Sequence, residues 1–157
     1  MGTISMKKRR NKKGYTLIEL LCTLAVILLV GTVAVNCLQL GVEAYGKLMR
    51  ESEAQLLCST LTTSVSEELR YARSASGSTF VDSHGHDSSY TRDANGHVLL
   101  NDDPVLSERS YPLGLEANVA LDYDSTAKLI TAVITVSFQG EELTTNEFAV
   151  TPVNLAA

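Results

Sequence analysis

The stretch KKGYTLIELLCTLAVILLVGTVAV, residues 12–35, decides the fold of this chain. It places a single carboxylate, Glu19, near the start of a long apolar run that follows a basic segment. A carboxylate at the start of a membrane span is costly unless another group pairs with it, so such a residue is a functional hypothesis by default. The sequence therefore predicts a functional role for Glu19, with an amine as its partner.

Residues 17–38 are long and apolar enough to span a bilayer as one helix. A helix needs about 20 apolar residues to cross the hydrocarbon core, and no charged side chain lies between Glu19 and Glu43. Six basic residues precede Gly14, and none returns before Lys47. The positive-inside rule then places the amino terminus in the cytoplasm and the rest of the chain outside. We expect a single-pass protein of the cytoplasmic membrane.

Two other classes of exported protein share part of this pattern. A cleaved secretory signal peptide also has a basic start and an apolar region. Here the apolar region is too long, Glu19 interrupts its beginning, and residues 32–34 (TVA) make only a passable cleavage site. A lipoprotein is disfavoured because Cys37 follows Val35 and Asn36 instead of small residues.

The order of residues around Glu19 resembles the processing signature of type IV prepilins and pseudopilins. In this family, a Gly at the position of Gly14 precedes the cleavage site, and Tyr15 would become the new, methylated amino terminus. The resemblance implies that Glu19 neutralises the amino terminus of a neighbouring subunit during assembly, with Thr16 and Leu17 beside it in the assembly segment. Thr16 is also suited to cap the new helix start. The partners implied are a prepilin peptidase, other pilin or pseudopilin subunits, and an assembly platform protein in the membrane.

The apolar pattern beyond the membrane segment stays helical to about Ala72. Apolar residues recur there every three or four positions, which indicates one stripe of a helix that packs against another layer. The residues of this stripe are Leu57, Leu61, Val65, Leu69 and Ala72.

From residue 79 the pattern changes to short runs of strand-forming residues separated by turn residues. The predicted strands are Thr79–Asp82, Tyr90–Arg92, His97–Asn101, Asn118–Asp124, Lys128–Gln139 and Leu143–Thr151, with turns at residues 93–96, 124–127 and 140–142.

The predicted fold class is α+β, with a long membrane-spanning helix and a small antiparallel sheet packed on its outer half. This is the pilin-like architecture that the resemblance implies. The predicted divisions are a basic leader at 1–14, an assembly helix at 15–40, a stalk helix at 41–76 and a β head at 77–157.

Charge disfavours direct binding to nucleic acid. The chain has 13 basic and 18 acidic residues, a net charge of −5. Loss of the leader removes six basic residues and leaves seven against 18, a net charge of −11. Such a chain repels polyanions.

The three cysteines do not form a complete disulfide framework, because their number is odd. Cys22 and Cys37 lie in or beside the apolar helix, about 22 Å apart along its axis, which is too far to bridge. Cys58 is expected to be a free, partly buried thiol, with pairing between chains left as the alternative.

The head offers one weak candidate for a metal site and no catalytic signature. His84 and His86 flank Gly85 between two aspartates, but a third ligand at a fixed spacing is missing. The sequence has no Gly-x-Ser-x-Gly motif and no phosphate-binding glycine loop. We therefore expect no enzyme and no cofactor.

The predicted function is structural: a subunit of a type IV pilus-like filament that serves DNA uptake, adhesion and motility, or type II secretion. The proline that many major pilins carry midway through this helix is missing, which favours a minor pilin or a pseudopilin. The alternative is a membrane-tethered extracellular binding domain that never polymerises and uses the loop of His84 and His86 as its ligand site.

Overall fold

The computed structural model describes residues 16–154, which form one long helix followed by eight strands, with two short 3₁₀ helices at Glu108–Ser110 and Pro112–Gly114. Gly14 and Tyr15 lie outside the described residues. The chain divides into two compact units, with the boundary between Tyr45 and Gly46. Helix α1, Leu17–Arg70, contributes to both units.

The head contains two antiparallel sheets instead of the single sheet that we expected. The first has the order β1-β2-β3-β4-β5, and the second is a meander with the order β6-β7-β8. The strands are β1 Ser74–Ser76, β2 Thr79–Val81, β3 Asp87–Arg92, β4 Val98–Leu100, β5 Asp103–Pro104, β6 Glu116–Asp124, β7 Leu129–Phe138 and β8 Glu141–Val150. The α+β fold class is confirmed, and each of the six predicted strands overlaps one of these.

Three local expectations were wrong. The stalk helix was predicted to extend to residue 76, but the helix ends at Arg70. Residues 74–76 form strand β1 instead. The β7–β8 turn consists of Gln139 and Gly140, both with positive φ, at 51° and 82°. This is the type I′ geometry that suits a two-residue hairpin, and β8 therefore starts at Glu141 instead of Leu143.

The core of the head lies between the outer part of α1 and the sheets. All five residues of the predicted stripe are buried, together with Ala54 and Cys58. Strand β7 faces them with every second residue, because side chains alternate across a strand. The inward residues of β7 are Ile130, Ala132, Ile134 and Val136, each no more than 1% exposed.

Two polar contacts tie the meander to the helix. Asn146 on β8 donates through Nδ2 to Thr62 Oγ1 at 3.0 Å. After β8, the chain returns to the carboxyl end of α1, where the backbone N–H of Val153 donates to the Arg70 carbonyl at 2.8 Å. The last carbonyls of a helix have no partner inside it, so this contact both closes α1 and fixes the end of β8.

Gly96 lies where the two sheets meet. Its carbonyl accepts a hydrogen bond from the Ala117 N–H of β6 at 2.8 Å, and its φ is +83°. A Cβ on Gly96 would lie 2.5 Å from Cγ of Glu116. A glycine is therefore needed here both for the backbone conformation and for the close approach of the sheets.

We predict that Leu61→Ala lowers the free energy of unfolding of the head by about 2–5 kcal/mol, because it opens a cavity in the core. Leu61 is fully buried, whereas Leu56 on the same helix is 62% exposed. Leu56→Ala makes the same change in helix propensity and should stay within about 0.5 kcal/mol of the parent. Urea denaturation of the chain in detergent, followed by circular dichroism, measures both. Equal losses would contradict this description of the core.

We also predict that Gly96→Ala destabilises the head more than Gly140→Ala. Gly140 has nearly the same φ, +82°, but nothing lies within 4 Å of an added Cβ. Gly140→Ala should cost about 1–2 kcal/mol for the left-handed backbone alone. Gly96→Ala adds the overlap with Glu116. The same denaturation assay compares them, and an equal loss would contradict the proposed close contact between the sheets.

Candidate functional site: the amino-terminal helix and the loops of the head

Thr16 begins the candidate assembly segment at the start of α1. Its carbonyl accepts hydrogen bonds from the N–H groups of Glu19 and Leu20, at 3.0 and 3.2 Å. Its Oγ1 accepts a longer bond, 3.4 Å, from the Glu19 N–H. A threonine hydroxyl that binds the third N–H of a helix is an N-cap interaction. The local sequence therefore starts the helix at Leu17 without help from the rest of the fold.

Glu19 lies in the first turn of α1. A negative charge at this end is favoured by the helix dipole, but that effect is small compared with the cost of a carboxylate in lipid. Among residues 16–154, no basic side chain forms an ion pair with Glu19. A positive group that neutralises it has to come from outside this part of the chain.

The apolar side chains of the first unit are exposed on every face of the helix. Leu17 is 81% exposed, Ile27 70% and Leu40 67%. Within the described residues, α1 is the one helix that is long and apolar enough to cross a membrane. A helix that is apolar all round needs lipid or other protein around it.

Two hydroxyl groups in this apolar part of α1 are satisfied within the helix. The hydroxyl of Thr23 donates to the Leu20 carbonyl at 2.9 Å, and that of Thr32 donates to the Leu29 carbonyl at 2.8 Å. Such bonds remove the penalty for a bare hydroxyl in hydrocarbon. Glu19 is the one charged side chain between Thr16 and Val42, and no ion pair to it is found among residues 16–154.

Cys58, the cysteine that packs in the head, was expected to be a free and partly buried thiol. Cys58 is buried, and its Sγ lies 4.0 Å from the Ile134 carbonyl oxygen. Burial raises the pKa of this thiol above its ordinary value. A disulfide from Cys58 to another chain would require the core to open. Cys22 and Cys37 are exposed on α1.

Residues 9–35 match the family model described as the prokaryotic N-terminal methylation motif. This motif is the hallmark of type IV prepilins and pseudopilins. The chain carries the type IV prepilin motif. No curated protein and no solved structure matches the chain significantly.

The motif and the fold together make this a pilin-like, membrane-anchored chain with the features of a prepilin-peptidase substrate. The matched residues span the predicted cleavage position at Gly14 and Tyr15 as well as Thr16, Leu17 and Glu19. In this pilin-like chain, the described part of the motif is a capped, apolar helix start with one acidic side chain.

The His84 and His86 loop is a β-turn built around Asp82. Asp82 Oδ1 accepts the backbone N–H groups of His84 and His86, at 2.7 and 2.9 Å. Its other oxygen lies 3.5 Å from His86 Nδ1. No group of three or more His, Cys, Asp or Glu residues is placed to hold a metal ion within residues 16–154. The loop therefore has a structural explanation that needs no ligand.

The same turn occurs a second time, and sequence analysis missed the repetition. Asp93 Oδ1 accepts the N–H groups of Asn95 and His97 at 2.9 and 2.7 Å, and its Oδ2 lies 3.4 Å from His97 Nδ1. The two turns share the sequence Asp-x-x-Gly-His, at residues 82–86 and 93–97. That spacing was visible in the sequence, and it marks the two hairpins that connect β2 to β3 and β3 to β4.

The second turn is linked to the core. The His97 ring packs on Tyr111 with 4.3 Å between ring centroids. The Tyr111 hydroxyl accepts the backbone N–H of Val98 at 3.0 Å. Asp93, His97 and Tyr111 therefore form one connected group that fixes the position of Gly96 between the sheets.

We predict that acid weakens the head through these turns. Hydrogen bonds from backbone N–H groups, His86 for Asp82 and His97 for Asp93, hold the pKa of both carboxyls below the ordinary value of 3.8. A carboxyl with a lowered folded-state pKa stabilises the fold above its unfolded-state pKa, and the contribution is lost as the pH falls through the folded-state value. Asp82→Asn/Asp93→Asn keeps an acceptor oxygen at each turn but does not titrate.

The measurement is the thermal unfolding midpoint as a function of pH between neutral pH and about pH 2, which covers the range of aspartate titration. The parent should lose more stability on acidification than the double variant, so their midpoints should converge at low pH. Asp102→Asn/Asp122→Asn removes the same charge from exposed positions and serves as the control. Parallel pH profiles for the parent and the turn variant would exclude this role of the carboxylates.

Proposed function

We propose that this pilin-like chain is a structural subunit, a minor pilin or pseudopilin, of a type IV pilus-like filament. A prepilin peptidase would cleave it after Gly14 and methylate the amine of Tyr15. The amino terminus would begin in the cytoplasm, and the head would lie outside the membrane. The filament would serve DNA uptake, adhesion and motility, or type II secretion.

The observation that carries this proposal is Glu19 in the apolar, exposed first part of α1, which begins at Leu17, two residues after the predicted new amino terminus at Tyr15. A new α-amine at Tyr15 of a neighbouring subunit is a positive group that could reach Glu19. Charge pairing is strong where the effective dielectric constant is low, and it gives a register that contacts between leucines and valines cannot specify. No basic side chain among residues 16–154 pairs with Glu19, and the six basic residues before Gly14 would leave with the leader.

The exposed surface of the first unit supports the same proposal. Before assembly, lipid would cover its leucines and valines, and in a filament the equivalent helices of other subunits would do so. Partners of this surface would be other pilin or pseudopilin subunits and the assembly platform protein. The described structure of the His84 and His86 loop gives no comparable support to the alternative of a tethered binding domain.

Glu19→Ala tests the pairing. It should leave cleavage by the peptidase largely intact but lower incorporation into sheared filaments at least about tenfold, since loss of one buried ion pair exceeds the 1.4 kcal/mol that a tenfold change requires. Immunoblots of cell and filament fractions measure both steps. Glu43→Ala is the matched control, because Glu43 is the next acidic residue on α1 and is also exposed.

Normal incorporation of Glu19→Ala would contradict the pairing. So would an equal loss for Glu43→Ala, because the defect would then follow from any change of charge on the helix.

A further inference from the structure

Strand β8 is a long free edge of the meander. It is the last strand in the order β6-β7-β8, and its ten residues pair along one side with β7. At the other end of the sheet, β6 contacts β1, β3 and β4 of the first sheet and bonds to Gly96. Among residues 16–154, no backbone hydrogen bond outside the ladder with β7 reaches Glu141–Val150. About half of the N–H and C=O groups of β8 are therefore open to another strand.

The outward face of β8 is acidic. Glu142 lies opposite Ser137, and Glu147 lies opposite Val133, and both glutamates are exposed. Glu142 Oε1 accepts the Thr145 hydroxyl at 2.6 Å, which places Thr145 on the same face. Within the described residues, neither glutamate forms an ion pair. Two carboxylates without an ion pair among residues 16–154 thus lie beside an open backbone edge.

The short edges of the first sheet do not offer the same template. Strands β1 and β5 have three and two residues, and β5 includes Pro104, which has no N–H to donate. Strand β8 contains neither proline nor a basic residue. It is the edge on which another extended chain could form a full row of hydrogen bonds.

We propose that β8 is the docking edge for an extended, basic segment of another protein, which adds to the meander as a fourth strand. Main-chain hydrogen bonds would provide the binding, and lysine or arginine side chains at alternate positions would pair with Glu142 and Glu147. This goes beyond a role as filament subunit, because it assigns the head a partner of defined chemistry.

Charge argues against a second copy of this chain as the occupant. Two β8 edges side by side would bring Glu141, Glu142 and Glu147 of both copies to one seam, and like charges across neighbouring strands are destabilising. The chain without its leader carries a net charge of −11. Acidic residues on an edge normally prevent such self-pairing, and the same residues favour a basic strand.

The test uses the full chain in detergent micelles and a synthetic nine-residue peptide that alternates lysine with threonine and valine. Binding is measured by fluorescence anisotropy, and the bound region by hydrogen exchange with mass spectrometry. We expect protection of amides in residues 141–150 and unchanged exchange in residues 116–124. A peptide with glutamate in place of lysine should not bind.

Two variants separate strand addition from general attraction between charges. The lysine peptide with N-methyl groups at alternate residues keeps its charge but cannot form the ladder, so it should lose binding. Glu142→Gln/Glu147→Gln should weaken binding roughly fivefold, from two cross-strand charge pairs of about 0.5 kcal/mol each. Glu67→Gln/Glu108→Gln makes the same charge change at exposed sites away from the sheet and should bind as the parent does.

Equal binding of the N-methylated peptide, or of the Glu142→Gln/Glu147→Gln variant, would overturn the proposal. The proposal would also be overturned if the amides of β8 showed no protection from hydrogen exchange after the lysine peptide is added. Protection of residues 141–150 that rises with protein concentration in the absence of peptide would show that a second copy is the occupant, and this too would contradict the proposal.

Discussion

The apolar surface of α1 must be covered, and the head covers only one stripe of its outer part. From Ala54 onward, a row of side chains at helical spacing is buried against the sheets. Before Tyr45, the leucines, isoleucines and valines are exposed on all faces. Burial of apolar surface is the main favourable contribution to folding and association, so this first unit is complete only in lipid or among other helices. Both the buried stripe of the outer part and the need for a partner around the first unit follow from that requirement.

We propose that Glu19 gives this apolar segment its specificity in assembly. The hydroxyls of Thr23 and Thr32 are satisfied within the helix, whereas the carboxylate of Glu19 has no described basic partner. A segment held only by apolar contacts could slide along its neighbours, because such contacts are not directional. One charge in the first turn of the helix would select one register. The match of residues 9–35 to the methylation motif agrees with an assembly in which the partner charge is made by processing.

How much could be predicted from the sequence depended on the length of each pattern. The five-residue stripe from Leu57 to Ala72 and the long strands β6 to β8 have enough repeats for the period to be clear. Strands β1 and β5 span too few residues to show any period. The place where the two sheets meet involves the contact of Gly96 with Ala117, which is distant in sequence and leaves no local pattern. The candidate site depends on a local motif instead: Gly14, Tyr15 and Glu19 are predicted from the order of neighbouring residues and stay a prediction. The paired turns at Asp82 and Asp93 share only the short pattern Asp-x-x-Gly-His, which carries no periodicity.

The measurement that tests the central claim most directly is the mass and amino-terminal sequence of the protein purified from its own cells. If α1 is an assembly helix whose new amino terminus is made when residues 1–14 are removed, the mature chain should begin at Tyr15 with a methylated α-amine. A mature chain that retains residues 1–14, or one cleaved after the apolar segment, would contradict the claim.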